Sequence, residues 1–147
     1  MTRRDLLIGG FGLTLSSNRL GAVCFGPDLV AQIAGKMDAK LPIGELVVRV
    51  AHEFLGKPYL AHTLDQTPGT ETCVVRLDGF DCVTMYESAL GIARAIKLGK
   101  PNMAGFTEQL TFMRYRSGKL NGYLSRLHYT TDWIADNQKK GVTTAID

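Results

Sequence analysis

The sequence predicts a helix-rich domain with at most a short stretch of sheet, and three observations carry that expectation. Apolar residues recur at helical spacing over residues 43–55 and again over residues 83–96. Only residues 72–77 form a run of β-branched character. Length and composition fit one globular domain, with 147 residues of which 45% are hydrophobic and 21% charged. Those proportions set aside disordered, collagen-like and coiled-coil classes.

Residues 1–22 read as an export signal and stand outside the fold. Thr2, Arg3 and Arg4 give a basic start, residues 6–15 are apolar, and small and polar residues follow. Thr2-Arg3-Arg4-Asp5-Leu6-Leu7 resembles a twin-arginine signal. The alternative, a first helix packed on the core, is opposed by Gly9, Gly10 and Gly12, each costing a helix about 1 kcal/mol relative to alanine. The domain proper then covers residues 23–147, in the periplasm or outside the cell. Disulfides form in such places, so Cys24 and Cys73 can pair and leave Cys82 free, although spacing does not fix the connectivity.

Within that domain, Ile43, Leu46, Val47, Val50, Ala51, Phe54 and Leu55 mark one helical face. Gly56 stands where a left-handed cap is wanted, and Pro58 prevents resumption. Residues 62–69 have loop composition, residues 72–77 suit a short strand, and Leu77-Asp78-Gly79-Phe80 reads as a turn. Asp81 opens a second helix running to about Leu98, with Val83, Tyr86, Ala89, Leu90, Ala93 and Ile96 along one face, and Gly99 and Pro101 end it. A third helix spans about residues 104–116, with Phe106, Leu110 and Met113 inward. A fourth covers residues 131–140, capped by Thr130 or Thr131 and stopped by Gly141, with Trp133 in the core.

Charge narrows the partners. The formal net charge is +3, from 17 basic and 14 acidic residues; Arg3, Arg4, Arg19 and Asp5 lie in the leader, and without them the balance is 14 against 13. No clustered basic face for nucleic acid is implied. No apolar run reaches the roughly 18 residues that span a bilayer. Cys73, Cys82 and His128 show no pairing at zinc-site spacing, so neither metal nor cofactor is expected.

Chemistry concentrates in Gly79-Phe80-Asp81-Cys82-Val83-Thr84. A cysteine in the first turn of a helix meets unpaired N–H groups and the positive end of the macrodipole, which favour a thiolate nucleophile. A small buried hydrophobe is the plainer reading of the same residue.

Leu55-Gly56-Lys57-Pro58-Tyr59 followed by Phe80-Asp81-Cys82 resembles the NlpC-type, papain-like cell-wall cysteine peptidases. The segments Leu77-Asp78-Gly79-Phe80-Asp81-Cys82-Val83-Thr84, Arg114-Tyr115-Arg116-Ser117-Gly118, and Ser125-Arg126-Leu127-His128-Tyr129-Thr130-Thr131-Asp132-Trp133-Ile134 resemble more closely the N-acetylmuramoyl-L-alanine amidase-like family, over roughly residues 43–147.

The resemblance implies an α+β fold, here the helix-rich N-terminal part of an NlpC-type peptidase with most of the antiparallel sheet missing. It implies hydrolysis of amide bonds in peptidoglycan stem peptides, or of the bond joining stem to sugar. Cys82 would be the nucleophile, its own N–H helping to hold the oxyanion. Tyr59 and Asp81 match positions lining the cleft.

Relatives carry the general-base histidine on a later strand that this chain lacks. Of the three histidines, His52 falls within the first helix, His62 follows Tyr59, and His128 is the best candidate base, or else lines the site. Arg114, Arg116 and Arg126 can hold stem-peptide carboxylates, or instead pair internally with Asp132 or Asp136. The alternative to an enzyme is a shortened, inactive form that binds wall peptides or a protein partner. Apolar helix faces left without a sheet to cover them would favour self-association.

Overall fold

The structure is a computed structural model, and it describes residues 29–65 and 69–146. The export signal and Cys24 lie outside the described residues. Five helices form the frame: α1 Leu29–Gly35, α2 Ile43–His52, α3 Cys82–Lys97, α4 Met103–Arg114 and α5 Thr130–Lys139. Helix α3 is central, packed between α2 and α4.

The expected α+β, papain-like architecture is overturned. Among the described residues there is no strand, only isolated bridges joining Tyr59 to Phe80 and Tyr115 to Arg126. The residues that suit a strand do behave like one on one face, since Cys73, Val75 and Leu77 are buried in alternation. Side chains replace the ladder there. Arg114 Nη1 donates to the Val74 carbonyl at 2.6 Å, and the Tyr115 hydroxyl lies 3.0 Å from the Thr72 carbonyl. Nor do the helices need a sheet to cover them. Leu46 and Val50 of α2, Ile92 and Ala93 of α3, and Phe106, Leu110 and Met113 of α4 bury one another at 1% exposure or less.

Boundaries shift from the expectation for local reasons. Helix α1, which buries Val30 and Ile33, adds an element that the periodicity did not suggest. Helix α2 ends at His52, and the chain then turns to Gly56, whose φ of +82° is the left-handed conformation expected of a stop residue. Leaving the helix early carries Leu55 off the buried face, to 75% exposure, while Phe54 stays inside against Phe80 with ring centroids 4.6 Å apart. Neither Thr130 nor Thr131 caps α5; Tyr129 occupies the cap position without a side-chain bond.

The start of α3 is the most tightly specified point in the chain. Asp81 Oδ1 accepts from the N–H groups of Val83 (3.0 Å) and Thr84 (2.8 Å), and Asp81 N–H donates to Thr84 Oγ1 at 3.0 Å, completing a reciprocal capping box. Oδ2 accepts from the buried Thr63 hydroxyl at 2.9 Å. Burial alone would raise the Asp81 carboxyl. The bonds from the Thr84 N–H, the Thr63 and Thr84 hydroxyls and the Val83 N–H outweigh it and hold the group below the usual carboxylate range.

Further along α3, Glu87 is buried with Arg114 of α4, with side-chain exposures of 1% and 3%. Arg114 Nε donates to Glu87 Oε2 at 2.8 Å, and Trp133 Nε1 of α5 donates to Glu87 Oε1 at 3.0 Å. One carboxylate therefore ties three helices together, and Arg114 extends the tie to residue 74.

Removing one partner of a buried pair leaves an uncompensated charge. Glu87→Ala is therefore expected to cost about 3–5 kcal/mol in urea unfolding followed by the single tryptophan, Trp133. A loss below about 1 kcal/mol would show that the tie is not structural. Loss of the cap through Asp81→Ala should cost about 1 kcal/mol. Because the Asp81 carboxyl sits below its unfolded-state value, its contribution is present above the ordinary carboxylate pKa and lost as pH falls through the folded value. Wild type and Asp81→Ala should accordingly differ in stability at pH 7 and converge in acid. A gap that persists at low pH would contradict this.

Candidate active site

Two cavities meet at Asp81, which lines both. The first is a groove of about 340 Å³ walled by Phe54, Leu55, Pro58, Tyr59, Phe80 and Met85, with Cys82 in its lining and Lys57 at the edge. The second, about 250 Å³, is the more polar of the two and brings together His62, Asp65, Glu87, Arg114, Arg126 and His128.

Cys82 is the first residue of α3 and is exposed, whereas Cys73 is a buried thiol 4.0 Å from Arg114 Nη1. Burial pushes the Cys73 thiol up, which leaves Cys82 as the described cysteine open to an external electrophile. The capping box also selects which amides remain available. Val83 and Thr84 N–H groups are taken by Asp81, whereas the Cys82 N–H has no acceptor among the described residues. An oxygen that gains negative charge beside Sγ would find that donor next to it. Tyr86, one turn on, has its phenol pushed up to about 12, by burial first and then by the charge of Glu87, so it stays protonated.

Tyr59 faces the same groove at 72% exposure. Its neighbours fix it: Leu60 N–H donates to the Phe80 carbonyl at 2.9 Å and Phe80 N–H to the Pro58 carbonyl at 3.1 Å, laying residues 58–60 beside the chain that enters α3. Cys82, Asp81 and Tyr59 are thus brought together.

His128 lines the other cavity. Its Nε2 lies 3.0 Å from the Tyr123 carbonyl, and its ring packs on Tyr123 with centroids 4.3 Å apart. No histidine among the described residues lines the Cys82 groove.

Two of the three arginines, Arg114 and Arg126, line the second cavity, and Arg116 lies apart from it. Arg114 is consumed by the core pair with Glu87 rather than by Asp132 or Asp136. Arg116 forms an exposed pair with Asp132 at 3.3 Å. Arg126 is 6% exposed and lines the polar cavity, donating to Asp65 Oδ1 at 2.7 Å and to the Leu64 carbonyl at 3.2 Å, with Glu71 Oε1 3.4 Å from its Nε. The hydrogen bond from Arg126 holds the Asp65 carboxyl below the usual range.

Thr63, Asp65 and Glu87 are absent from the sequence-based candidates. Glu87 had a visible signal: it stands four residues after Val83 on the apolar stripe of α3, where an acid needs a buried partner. Thr63 and Asp65 had none, because loop contacts follow no periodicity. Among the described residues, no cluster of His, Cys, Asp or Glu is placed to hold a metal ion, and no helix is long and apolar enough to cross a membrane.

Comparison with solved structures places this geometry among relatives. An N-acetylmuramoyl-L-alanine amidase from Bacteroides uniformis ATCC 8492 is 37% identical, with a TM-score of 0.62, over 67% of this chain and 41% of its own. A Bacteroides fragilis protein named as a xylanase is 38% identical, with a TM-score of 0.57, over 63% and 40%. A Legionella pneumophila str. Philadelphia 1 protein is 27% identical, with a TM-score of 0.62, over 76% and 36%. This chain therefore spans well under half the length of these relatives. No curated protein matches. The family model described as AmiA-like, N-acetylmuramoyl-L-alanine amidase-like, matches residues 49–147, and the chain belongs to that family.

Proposed function

We propose that the chain acts on peptidoglycan fragments outside the cytoplasm, hydrolysing an amide bond with Cys82 as nucleophile. The observation that carries this reading is the position of Cys82: exposed, first in α3, inside an apolar groove, with its own N–H unspent. Sγ as thiolate attacks the amide carbonyl carbon, and the oxygen's negative charge falls beside the Cys82 N–H. The C–N bond then breaks, the amine takes a proton from solvent water and leaves, and hydroxide or water attacks the thioester carbonyl to release the acid and restore Cys82 Sγ. Tyr59, Phe80 and Met85 hold the apolar part of the fragment, and Arg126, His62 and His128 face its polar part across Asp81.

Glycoside hydrolysis fits less well. Such enzymes use two carboxyl groups flanking the bond, and among the described residues the only carboxylate lining the Cys82 groove is Asp81, whose oxygens are engaged by the helix cap and by Thr63.

A second reading is favoured by one specific observation. His128 and His62 line the cavity across Asp81 rather than the groove that holds Cys82. Without a positioned base to protonate the leaving amine, the chain would bind wall peptides and release no product.

Digestion of purified muropeptides by the full chain, followed by chromatography, separates the readings. The nucleophile reading expects Cys82→Ala to lower product release by at least about 10³-fold. Equal release by both proteins would exclude Cys82 as nucleophile. Saturable binding with no product from either would establish the second reading.

A further inference from the structure

Any side chain at Gly79 would have to displace its neighbours, the Leu60 side chain first. A methyl group built on its backbone would stand 2.4 Å from Leu60 Cδ1, 2.7 Å from Leu60 Cγ and 3.0 Å from the Pro58 carbonyl oxygen. Carbon atoms do not approach so closely without displacing one another. The backbone at Gly79 is not in the left-handed region, so what the glycine supplies is clearance and not an unusual turn.

The atoms that need this clearance belong to the wall facing Cys82. Pro58 and Leu60 flank Tyr59, and both bond to Phe80, two residues before the cysteine. Tyr59 and Phe80 line the groove on either side of that junction, and Leu60 presses against Gly79 behind it. The spacing between the wall and the first turn of α3 is therefore set where Gly79 meets Leu60.

We infer that Gly79 is a positioning residue: by admitting Leu60 and the Pro58 carbonyl, it holds Tyr59 at the distance from Cys82 that grips a flat or apolar group in the groove. The inference rests on the groove being where substrate binds, but its test does not require turnover. A side chain at residue 79 pushes Leu60 away, moves the wall off α3 and loosens the grip. Shortening Leu60 removes the two closest atoms and restores it.

The test uses the full chain and two thiol reagents. Alkylation of Cys82 by N-phenylmaleimide and by iodoacetamide is followed on the Cys82 peptide by mass spectrometry. The ratio of the two rates is compared with that for glutathione. Wild type should prefer the aromatic reagent beyond the glutathione ratio. Gly79→Ala should fall back toward that ratio, and Gly79→Ala with Leu60→Ala should return to the wild-type value. A wild-type ratio equal to that of glutathione, a Gly79→Ala ratio equal to wild type, or a double variant that folds without recovery would each overturn the inference. If Gly79→Ala does not fold, the double variant must still fold and show the wild-type ratio, and its failure to do so counts against the proposal.

In muropeptide digestion, the same single change should raise KM more than it lowers kcat, with about tenfold lower kcat/KM, again recovered in the double variant. Absence of any muropeptide hydrolysis by wild type would remove the functional reading while leaving the alkylation result to judge Gly79.

Discussion

A buried ion pair sets the geometry on which the rest depends. Glu87 and Arg114 are almost fully buried, and each would be costly alone. Glu87 therefore demands donors, and it takes them from α4 through Arg114 and from α5 through Trp133. Arg114 in turn reaches the Val74 carbonyl, satisfying an extended segment that has no ladder partner among the described residues. Burial, the largest influence, would lower the Arg114 guanidinium, and the Glu87 charge and hydrogen bond together with Cys73 and Tyr115 beside it outweigh this and hold it above its ordinary value. An apolar replacement of similar volume could give comparable stability, but it would lose the directional bonds that hold three helices and the segment entering α3 in one arrangement.

That arrangement bears on function because α3 begins at the candidate nucleophile. The helix packs against α2 and α4, its middle is held by Glu87, and its start by the Asp81 cap. A cysteine on a loosely held loop would sample many directions. Here the first turn is bonded on both sides, through Thr84 within the helix and through Thr63 from the preceding loop. Asp81 does two things at once: it completes the helix start and divides an apolar groove from a polar cavity. A ligand with an apolar and a polar end would lie across that divide.

Much of this was legible in the sequence. The residues expected to face inward in α4, Phe106, Leu110 and Met113, are all at 1% exposure or less, because a 3.6-residue period survives any tertiary detail. Gly56 and Asp81 act as stop and start because their chemistry is local. The short strand expected at residues 72–77 is absent for a non-local reason. Residues 72–77 alternate as a strand should, yet what satisfies their carbonyls is an arginine and a tyrosine some 40 residues away, which no window of sequence displays. Helix α1, seven residues long, is too short to show a period. The arginine partners were equally hidden. Arg116 does pair with Asp132, but Arg114 chose an acid on another helix, and Arg126 chose acids in two loops. Clearance at Gly79 is invisible in sequence for the same reason, since a glycine in an Asp-Gly turn looks like ordinary punctuation.

The proposed chemistry turns on whether Cys82 Sγ forms a bond to the carbonyl carbon of a wall peptide. Intact-mass spectrometry of the full chain, quenched in acid within the first turnover after mixing with purified muropeptides, addresses that bond directly. A nucleophilic Cys82 gives a transient species heavier than the free chain by the acyl portion of the cleaved fragment, mapping to the peptide that contains Cys82 and released by hydroxylamine. Product formed with no such species at any time, and at the same rate after Cys82 is blocked by alkylation, would contradict it.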